Sequence, residues 1–299
     1  MGILMGLSLA ACGSSTSGGA GTSSAAAASA GAETTGAAVK DTSAAGDASS
    51  AAEGAGEALK TIKDKGVLNV GVKSDVPNFS LQNTATGEYE GFEDDLAYEI
   101  AGDIFGCSAD DARSKKLVKF QGVTAKTRGP LLENGELDLV IATFTITPER
   151  KETYNFSTPY YTDAVGLLVN KDSGIKSITD LNGKIIGVAQ SSTTKDGFTA
   201  YVKDKGLDVT PQFQEFDGYP ALAQALATRQ IDCFSVDRAI LSGYVNDSNE
   251  ILPDRFSEQE YGVASAKDKT DLAAAVDKKV TAMIADGSMK TLETKWKLQ

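Results

Sequence analysis

The protein has 299 residues, a formal net charge of −12 and no histidine. Residues 13–58 make up 46 of these positions and 39 of them are Ala, Gly, Ser or Thr, so at most about 241 residues can fold, which is enough for two modest lobes or one large domain. An acidic chain without a basic face excludes nucleic acid as a partner, because Lys and Arg must neutralise the phosphates. The missing histidine excludes Ser-His-Asp and Cys-His nucleophile pairs, two-His metal motifs and an imidazole general base.

The first twelve residues form a short apolar run that ends Leu9-Ala10-Ala11-Cys12. A run of about ten apolar residues is too short to span a bilayer, which takes roughly 20, but it is typical of a signal-peptide core. We therefore expect residues 1–11 to be a lipoprotein signal peptide and Cys12 to carry the lipid anchor. Because no positively charged stretch precedes the run, we expect the natural signal to begin upstream. One acyl chain anchors only marginally, so Cys12 should carry more than one.

A low-complexity tract follows the cysteine. Almost nothing between residues 13 and 58 can bury apolar area, so residues 12–58 are predicted to be a lipidated cysteine and a disordered tether. The root-mean-square reach of such a tether is roughly 34 to 41 Å. The tract carries −4 of the net charge, which leaves −8 for the remainder of the chain. We expect an extracytoplasmic protein that is anchored to the cell membrane.

Strand and helix signals alternate after the tract. The β-rich run at 67–72 is followed by turn residues and predicts a first strand. A helix should begin near Phe92, because acidic residues occupy its first turn, where the dipole favours them, and apolar residues recur every four positions. A strand at 117–120, a helix at 129–134 and an apolar strand at 137–142 follow.

The second half repeats this layout. Its predicted elements are a strand at 184–189, a helix at 194–205, a strand at 212–216, a helix at 220–228 and a strand at 231–236. Strands interleaved with helices indicate a mostly parallel α/β sheet in each half. Cys107 and Cys233 fall in different halves, so we expect no disulfide between them and interpret both as small buried or half-buried residues.

Polar residues follow several of the predicted strands. Ligands of open α/β sheets bind beyond the carboxyl ends of the strands, and Lys73, Arg128, Arg150, the segment 191–194 and Asp237 all lie at such positions. Each alone has a simpler interpretation: a solvated loop lysine, surface ion pairs for the two arginines, and helix N-caps for 191–194 and Asp237. Their joint placement favours a binding site.

The charges of these residues suggest the ligand class. In a cleft that binds an amino acid, one bidentate Arg suits the α-carboxylate and Asp237 suits the ammonium. Lys73 and the second Arg would then remain in a partly dry site, which is costly without a partner. A second carboxylate on the ligand supplies that partner, so aspartate or glutamate is the predicted substrate.

The chain from residue 59 onward resembles the family 3 extracellular solute-binding proteins, the amino-acid receptors of ABC importers, and most closely their aspartate/glutamate branch. The segments that carry the resemblance span nearly all of the predicted folded region: GVKSDVP (71–77), GFEDDL (91–96), AKTRGPLL (125–132), IATFTITPER (141–150), NFSTPYY (155–161), GVAQ (187–190) and FSVD (234–237). One departure is Asp94, where the family usually has an aliphatic residue.

The resemblance implies a two-lobed, type II periplasmic-binding-protein-like fold. Lobe 1 would comprise 59–161 and 260–299, and lobe 2 would comprise 162–259. Two crossing segments, near 159–164 and 257–261, would form the hinge, and closure around the ligand would be the signal that the permease reads.

The resemblance also implies roles for individual residues. Arg150, helped by Thr193, would bind the α-carboxylate, and Asp237 would bind the ammonium. The side-chain carboxylate of the ligand would be bound by Lys73, Arg128, Thr143 and Tyr219. Phe144 and Thr145 would contribute main-chain contacts.

Other functions remain as alternatives. A receptor for glutamine or another neutral polar amino acid is the nearest one. An enzyme on the same fold, such as the dehydratases that resemble these receptors, would need a cleft group that donates and accepts protons, and we expect no spare cleft acid. A sensory module is a third alternative. The predicted partners are an acidic amino acid and a membrane permease with its ATPase; we expect a monomer without cofactor or metal.

Overall fold

The structure of the protein is a computed structural model that describes residues 56–298. The predicted signal peptide, Cys12 and the predicted tether up to residue 55 lie outside the described residues. The strands are β1 Leu68–Val72, β2 Asp75–Val76, β3 Ser80–Gln82, β4 Tyr89–Glu90, β5 Val118–Gly122, β6 Leu139–Val140, β7 Tyr154–Phe156, β8 Tyr161–Asn170, β9 Ile185–Ala189, β10 Gln212–Phe216, β11 Cys233–Asp237, β12 Asn249–Ile251, β13 Phe256–Tyr261 and β14 Ala264–Ala266.

Helices connect most of these strands. They are α1 Glu57–Lys65, α2 Phe92–Phe105, α3 Ala109–Ser114, α4 Arg128–Glu133, α5 Pro148–Thr153, α6 Thr194–Asp204, α7 Tyr219–Ala227, α8 Arg238–Ser242, α9 Thr270–Ala285 and α10 Ser288–Lys295, with a 3-10 turn at Ile178–Leu181. Between residues 56 and 298, no helix combines the length and the apolar character needed to cross a bilayer.

The first lobe is built on a five-stranded sheet with the order β5-β1-β6-β14-β7. The strands β5, β1 and β6 run parallel, whereas β14 is antiparallel to both of its neighbours. The β1 residues Leu68, Val70 and Val72 are fully buried and pack with the apolar side of α2 in one core. A small antiparallel sheet of β2, β3 and β4 follows β1.

The second lobe is built on a sheet with the order β10-β9-β11-β8-β12, and β13 also pairs with β8. The strands β10, β9 and β11 are parallel, while β8 runs antiparallel to β11, β12 and β13. Both sheets are therefore mixed, rather than mostly parallel. Parallel neighbours require a crossover connection, but β8 and β14 each enter their sheet directly from the other lobe.

Two paired strands connect the lobes. The chain leaves the first sheet after β7 and enters the second as β8, and it returns from β13 to β14. At the crossing, Tyr161 of β8 lies opposite Tyr261 of β13, and their rings stack at 5.9 Å between centroids. The molecule has the two-lobed α/β architecture that the sequence predicted.

One predicted strand is shorter in the structure, and several other elements begin where they were predicted. The strand predicted at 137–142 pairs only over Leu139–Val140, because the chain turns away at Thr143 with a φ of 45°. The predicted first strand, the helix from Phe92 and the strand at 212–216 lie within one residue of their predicted starts. Within residues 56–298, Cys107 and Cys233 form no disulfide with each other, as expected.

Candidate functional site

The candidate site is built around the turn that follows β6. Thr143 has a φ of 45°, in the left-handed region, which non-glycine residues rarely adopt unless their surroundings fix it. Its N–H donates to Glu93 Oε1 at 2.6 Å, and its carbonyl accepts from Arg128 at 3.1 Å. These two contacts fix the turn at the carboxyl end of a first-lobe strand, and with it Phe144 and Thr145.

Arg128, the first residue of α4, is buried beside this turn with 3% of its surface exposed. Its Nη1 donates to the carbonyl of Ala142 at 2.6 Å and to that of Thr143 at 3.1 Å, and its guanidinium lies 4.0 Å from the ring centroid of Phe144. Within residues 56–298 it forms no salt bridge. Its charge is therefore held by carbonyls and a ring, which orient it without neutralising it.

Arg150 lies on the other side of the same turn, in α5. Thr147 caps this helix by accepting from the Arg150 N–H at 3.2 Å. Nη1 of Arg150 donates to the carbonyl of Thr145 at 2.8 Å, and the guanidinium is 4.8 Å from the Phe144 centroid. Burial and, after it, the nearby Arg128 lower the pKa of Arg150 to about 9, so it remains charged at neutral pH.

Lys73 follows β1 and is also buried, with 1% of its side chain exposed. Its Nζ forms an ion pair with Asp75 Oδ1 at 3.2 Å and lies 4.5 Å from the ring centroid of Tyr219. Burial lowers the pKa of Lys73, and Arg128 lowers it further, whereas Asp75 raises it. A second buried cation thus lies near Arg128, but it has a carboxylate partner within the chain.

Asp237 ends β11 and lies directly before α8. Its side chain makes no capping hydrogen bond; instead Oδ2 accepts from the hydroxyl of Tyr261. Burial raises the pKa of Asp237 to about 7, with Asp163 adding to the shift and Tyr261, Arg128 and Arg150 opposing it. A carboxylate from the second lobe therefore lies near both arginines of the first.

Gln259 joins the two walls of the site from the crossing strand β13, and sequence reasoning did not identify it. It is 2% exposed, and its Oε1 accepts from the hydroxyls of Thr145 and Thr193, each at 2.7 Å. Its Nε2 donates to the carbonyl and hydroxyl of Ser257 at 2.9 and 3.0 Å. One side chain thus orients a hydroxyl from each lobe.

Glu93 is a second residue that sequence reasoning did not place in the site. It is 0% exposed, and its Oε1 accepts from the Thr143 N–H and from the Tyr160 hydroxyl, both at 2.6 Å. Burial raises the pKa of Glu93 to about 7, although these two hydrogen bonds, Arg128 and Lys73 all lower it. A buried carboxyl group thus lies directly behind the Thr143 turn.

Contacts between the lobes close the region around the site. Nη2 of Arg150 donates to the carbonyl of Ser191 at 3.2 Å. Asp75 accepts from the Tyr219 N–H through its side chain, at 3.3 Å, and from the Tyr244 hydroxyl through its carbonyl. The structure therefore shows the lobes in a closed arrangement.

The structure brings the predicted ligand residues into one region, through direct contacts or through the electrostatic interactions of Arg128 and Arg150 with Lys73, Tyr219 and Asp237. These residues are Lys73, Arg128, Thr143, Phe144, Thr145, Arg150, Thr193, Tyr219 and Asp237. The simpler interpretations of several of them are wrong. Lys73 is not a solvated loop residue, the two arginines form no surface ion pairs, and the side chains of Thr193 and Asp237 cap no helix.

Comparison with known proteins gives the family context. The model of the bacterial extracellular solute-binding proteins, family 3, matches residues 68–299. The ABC transporter glutamine-binding protein GlnH of Bacillus subtilis is 34% identical over 292 residues, which cover 96% of this chain and 91% of the relative. The glutamate-binding protein GluB of Corynebacterium efficiens is 29% identical over 250 residues, covering 80% and 81% of the two chains.

Among solved structures, the ancestral amino-acid-binding protein AncCDT-1, a precursor of cyclohexadienyl dehydratase, superposes with a TM-score of 0.67. The sequence identity is 27%, and the match covers 80% of this chain and 98% of that one. The similarity therefore extends over both lobes.

Proposed function

Because the chain belongs to family 3 of the bacterial extracellular solute-binding proteins, the substrate receptors of amino-acid ABC transporters, we propose that it binds aspartate or glutamate between its lobes. The observation that carries this proposal is the presence of two buried cations, Lys73 and Arg128, in addition to Arg150. A single Arg suffices for the α-carboxylate of an amino acid. The additional cations favour a ligand with a second carboxylate.

The proposed roles are those that the family resemblance implies, and the positions of the groups support them. Arg150 would bind the α-carboxylate with help from the hydroxyl of Thr193 at the start of α6, and the ionised Asp237 would bind the ammonium. The side-chain carboxylate would meet the remaining cationic and hydroxyl groups, Lys73, Arg128, Thr143 and Tyr219. Phe144 supports both guanidiniums with its ring, and the turn through Thr145 adds main-chain contacts.

Closure of the lobes would couple binding to transport. Lobe 1 (59–161 and 260–299) and lobe 2 (162–259) would move about the paired segments near 159–164 and 257–261, and the closed form would dock on a membrane permease that an ATPase drives. Lipidation at Cys12 would keep the monomeric receptor at the outer face of the cell membrane, and the tether would end before α1, which begins at Glu57 and not after residue 58 as predicted.

A glutamine receptor is the second candidate. It is favoured by the ion pair between Lys73 and Asp75, which neutralises one of the cations within the chain, and by the similarity to the glutamine-binding protein of Bacillus subtilis.

A thermal-shift screen of residues 56–299 against the twenty amino acids separates the two candidates. A ligand at 100 times its Kd adds about 2.7 kcal/mol to the free energy of unfolding, which is readily measured as a higher Tm. We expect aspartate or glutamate to give the largest shift. A shift with glutamine and none with either acidic amino acid would contradict the acidic ligand and favour the second candidate.

A further inference from the structure

The charges of the candidate site are nearly balanced, and Glu93 decides the balance. Lys73 and Asp75 form an ion pair at 3.2 Å and cancel each other. Asp94 and Asp163 are buried carboxyl groups that accept from other parts of the chain, from Ser80 and from the Ala164 and Ala239 N–H groups. The charged groups that act on one another at the site are then Arg128 and Arg150 on one side and Asp237 and Glu93 on the other. With both carboxylates ionised these four sum to zero, which suits an amino acid without net charge. With a proton on Glu93 they sum to +1, which suits a ligand that carries −1.

Building on the acidic-ligand receptor of the preceding subsection, we propose that Glu93 determines the net charge of the ligand that the site accepts, and that it carries a proton when an acidic amino acid is bound. The geometry points to this residue because Glu93 is coupled to the site through a single main-chain turn. Its Oε1 accepts a hydrogen bond from the Thr143 N–H, and the carbonyl of Thr143 accepts one from the guanidinium of Arg128.

The second oxygen of Glu93 lacks the hydrogen-bond donors that would stabilise an ionised carboxylate. Oε2 is buried and has no hydrogen-bond partner among residues 56–298. An ionised oxygen without a donor is costly in a buried site, whereas a protonated carboxyl group has no charge to desolvate. Burial raises the pKa of Glu93 to about 7, so its protonation can respond to a ligand near neutral pH.

The groups that face Glu93 come from several elements. Lys73 and Arg128, from the segment after β1 and from α4, favour the ionised form, as do the hydroxyl of Tyr160 and the N–H of Thr143. Asp94 is its neighbour on α2, and each carboxylate disfavours ionisation of the other. A ligand carboxylate that binds near Arg128 would weaken the effect of Arg128 and Lys73 on Glu93 and would itself repel an ionised Glu93. Binding of an acidic ligand should therefore cause Glu93 to take up a proton.

The proposal predicts how the preference between glutamate and glutamine changes with pH. Asp237 must be ionised for either ligand, so its titration cancels in the ratio of their two Kd values. We expect the preference of the wild-type protein for glutamate over glutamine to fall as the pH rises from 6 to 8, by up to about tenfold per pH unit. Calorimetry would supply the Kd values.

Glu93→Gln keeps an oxygen that can accept from Thr143 and Tyr160 but removes the charge. We expect this variant to prefer glutamate at every pH from 6 to 8, at least as strongly as the wild-type protein at pH 6, with a ratio that no longer depends on pH. Asp94→Asn is the matched control: Asp94 is a buried carboxyl group on the same helix that accepts from Ser80 at 2.9 Å. Because Asp94 disfavours ionisation of Glu93, this control should keep a pH-dependent preference, with its midpoint moved to lower pH. An equal pH dependence in wild-type and Glu93→Gln protein would overturn the proposal.

A measurement on the wild-type protein alone covers the case in which Glu93→Gln fails to fold. Titrations at pH 7 in buffers of different ionisation enthalpy give the number of protons bound with each ligand. The protein should take up more protons when it binds glutamate than when it binds glutamine. Equal uptake with the two ligands would refute the role of Glu93. If the wild-type protein binds glutamine but no acidic amino acid, the proposed function is wrong. The Glu93 proposal is then decided separately, by whether Glu93→Gln gains glutamate binding.

Discussion

Replacing Lys73 with methionine tests whether the site distinguishes the two carboxylates of an acidic ligand. Methionine is apolar and of similar length, so it can occupy the buried space beside the Tyr219 ring without the charge. Asp75 loses the ion pair at 3.2 Å but keeps the hydrogen bond from the Tyr219 N–H. Asp75 Oδ1 is then a buried carboxylate oxygen without a partner, so the variant should be less stable than the wild-type protein, and binding is compared well below the Tm of the variant.

The expected loss follows from the type of contact. A buried hydrogen bond between charged groups contributes about 1.5–3 kcal/mol, and about 1.4 kcal/mol corresponds to tenfold in Kd. Lys73→Met should therefore weaken glutamate binding by roughly 10- to 150-fold. Glutamine has no side-chain charge to pair with Lys73, so its Kd should change by less than about fivefold.

Isothermal titration calorimetry with both ligands measures this difference, and Arg150→Met provides the comparison. Arg150 is assigned to the α-carboxylate, which glutamate and glutamine share, so its loss should weaken both ligands by more than about 100-fold. If Lys73→Met weakened glutamate and glutamine binding equally, Lys73 would not be a contact of the ligand side-chain carboxylate. Unchanged glutamine binding in Arg150→Met would show that the α-carboxylate lies elsewhere.

Two further predictions concern groups inside the closed site. Gln259→Leu removes the acceptor of two threonine hydroxyls, the buried one of Thr145 and the partly buried one of Thr193, and should lower the free energy of unfolding by about 1–3 kcal/mol, measured by denaturant unfolding. In the Gln259→Leu background, Thr145→Val should cost less stability than in the wild-type protein, because the hydroxyl has already lost its acceptor; an equal cost would refute the role of Oε1. Burial raises the pKa of Asp237 from 3.8 to about 7, so the folded state binds this proton more tightly than the unfolded state does. The unliganded protein should therefore lose stability as the pH rises from about 4 to 7, by on the order of 4 kcal/mol from this group. Asp237→Asn should flatten that part of the pH profile, and a profile identical to the wild-type one would contradict the assignment.

The parts of the fold that could be predicted are those that a local pattern specifies. The first strand, the helix from Phe92 and the strand β10 have clear periodicity, and the structure places them close to their predicted bounds. The direction of β8 could not be predicted from a local pattern, because it depends on the side from which the chain enters the second sheet. The run Tyr161–Asn170 is apolar enough for a buried strand, but only its arrival from the first lobe makes it antiparallel to β11.

The same distinction applies to the site. The grouping of Lys73, Arg128 and Arg150 could be predicted, because all three lie in the segments that follow the carboxyl ends of first-lobe strands, where open α/β sheets bind ligands. Glu93 could not, since an acidic residue in the first turn of a helix is already explained by the dipole, and acidic residues are rarely buried. Gln259 lies in a crossing strand, where sequence reasoning sought a hinge and not a ligand contact.

The two titratable carboxylates impose opposite requirements on an acidic ligand. Asp237 must be ionised to bind the ammonium, whereas Glu93 must be protonated to leave the site with a charge of +1. Burial raises the pKa of both to about 7, so the required combination is most populated near neutral pH and declines on either side. Glutamate affinity should therefore have a maximum near pH 7, while glutamine affinity should rise from pH 5 to 8 as Asp237 ionises. A glutamate affinity that rises with pH in parallel with glutamine would mean that Glu93 remains ionised beside the bound ligand.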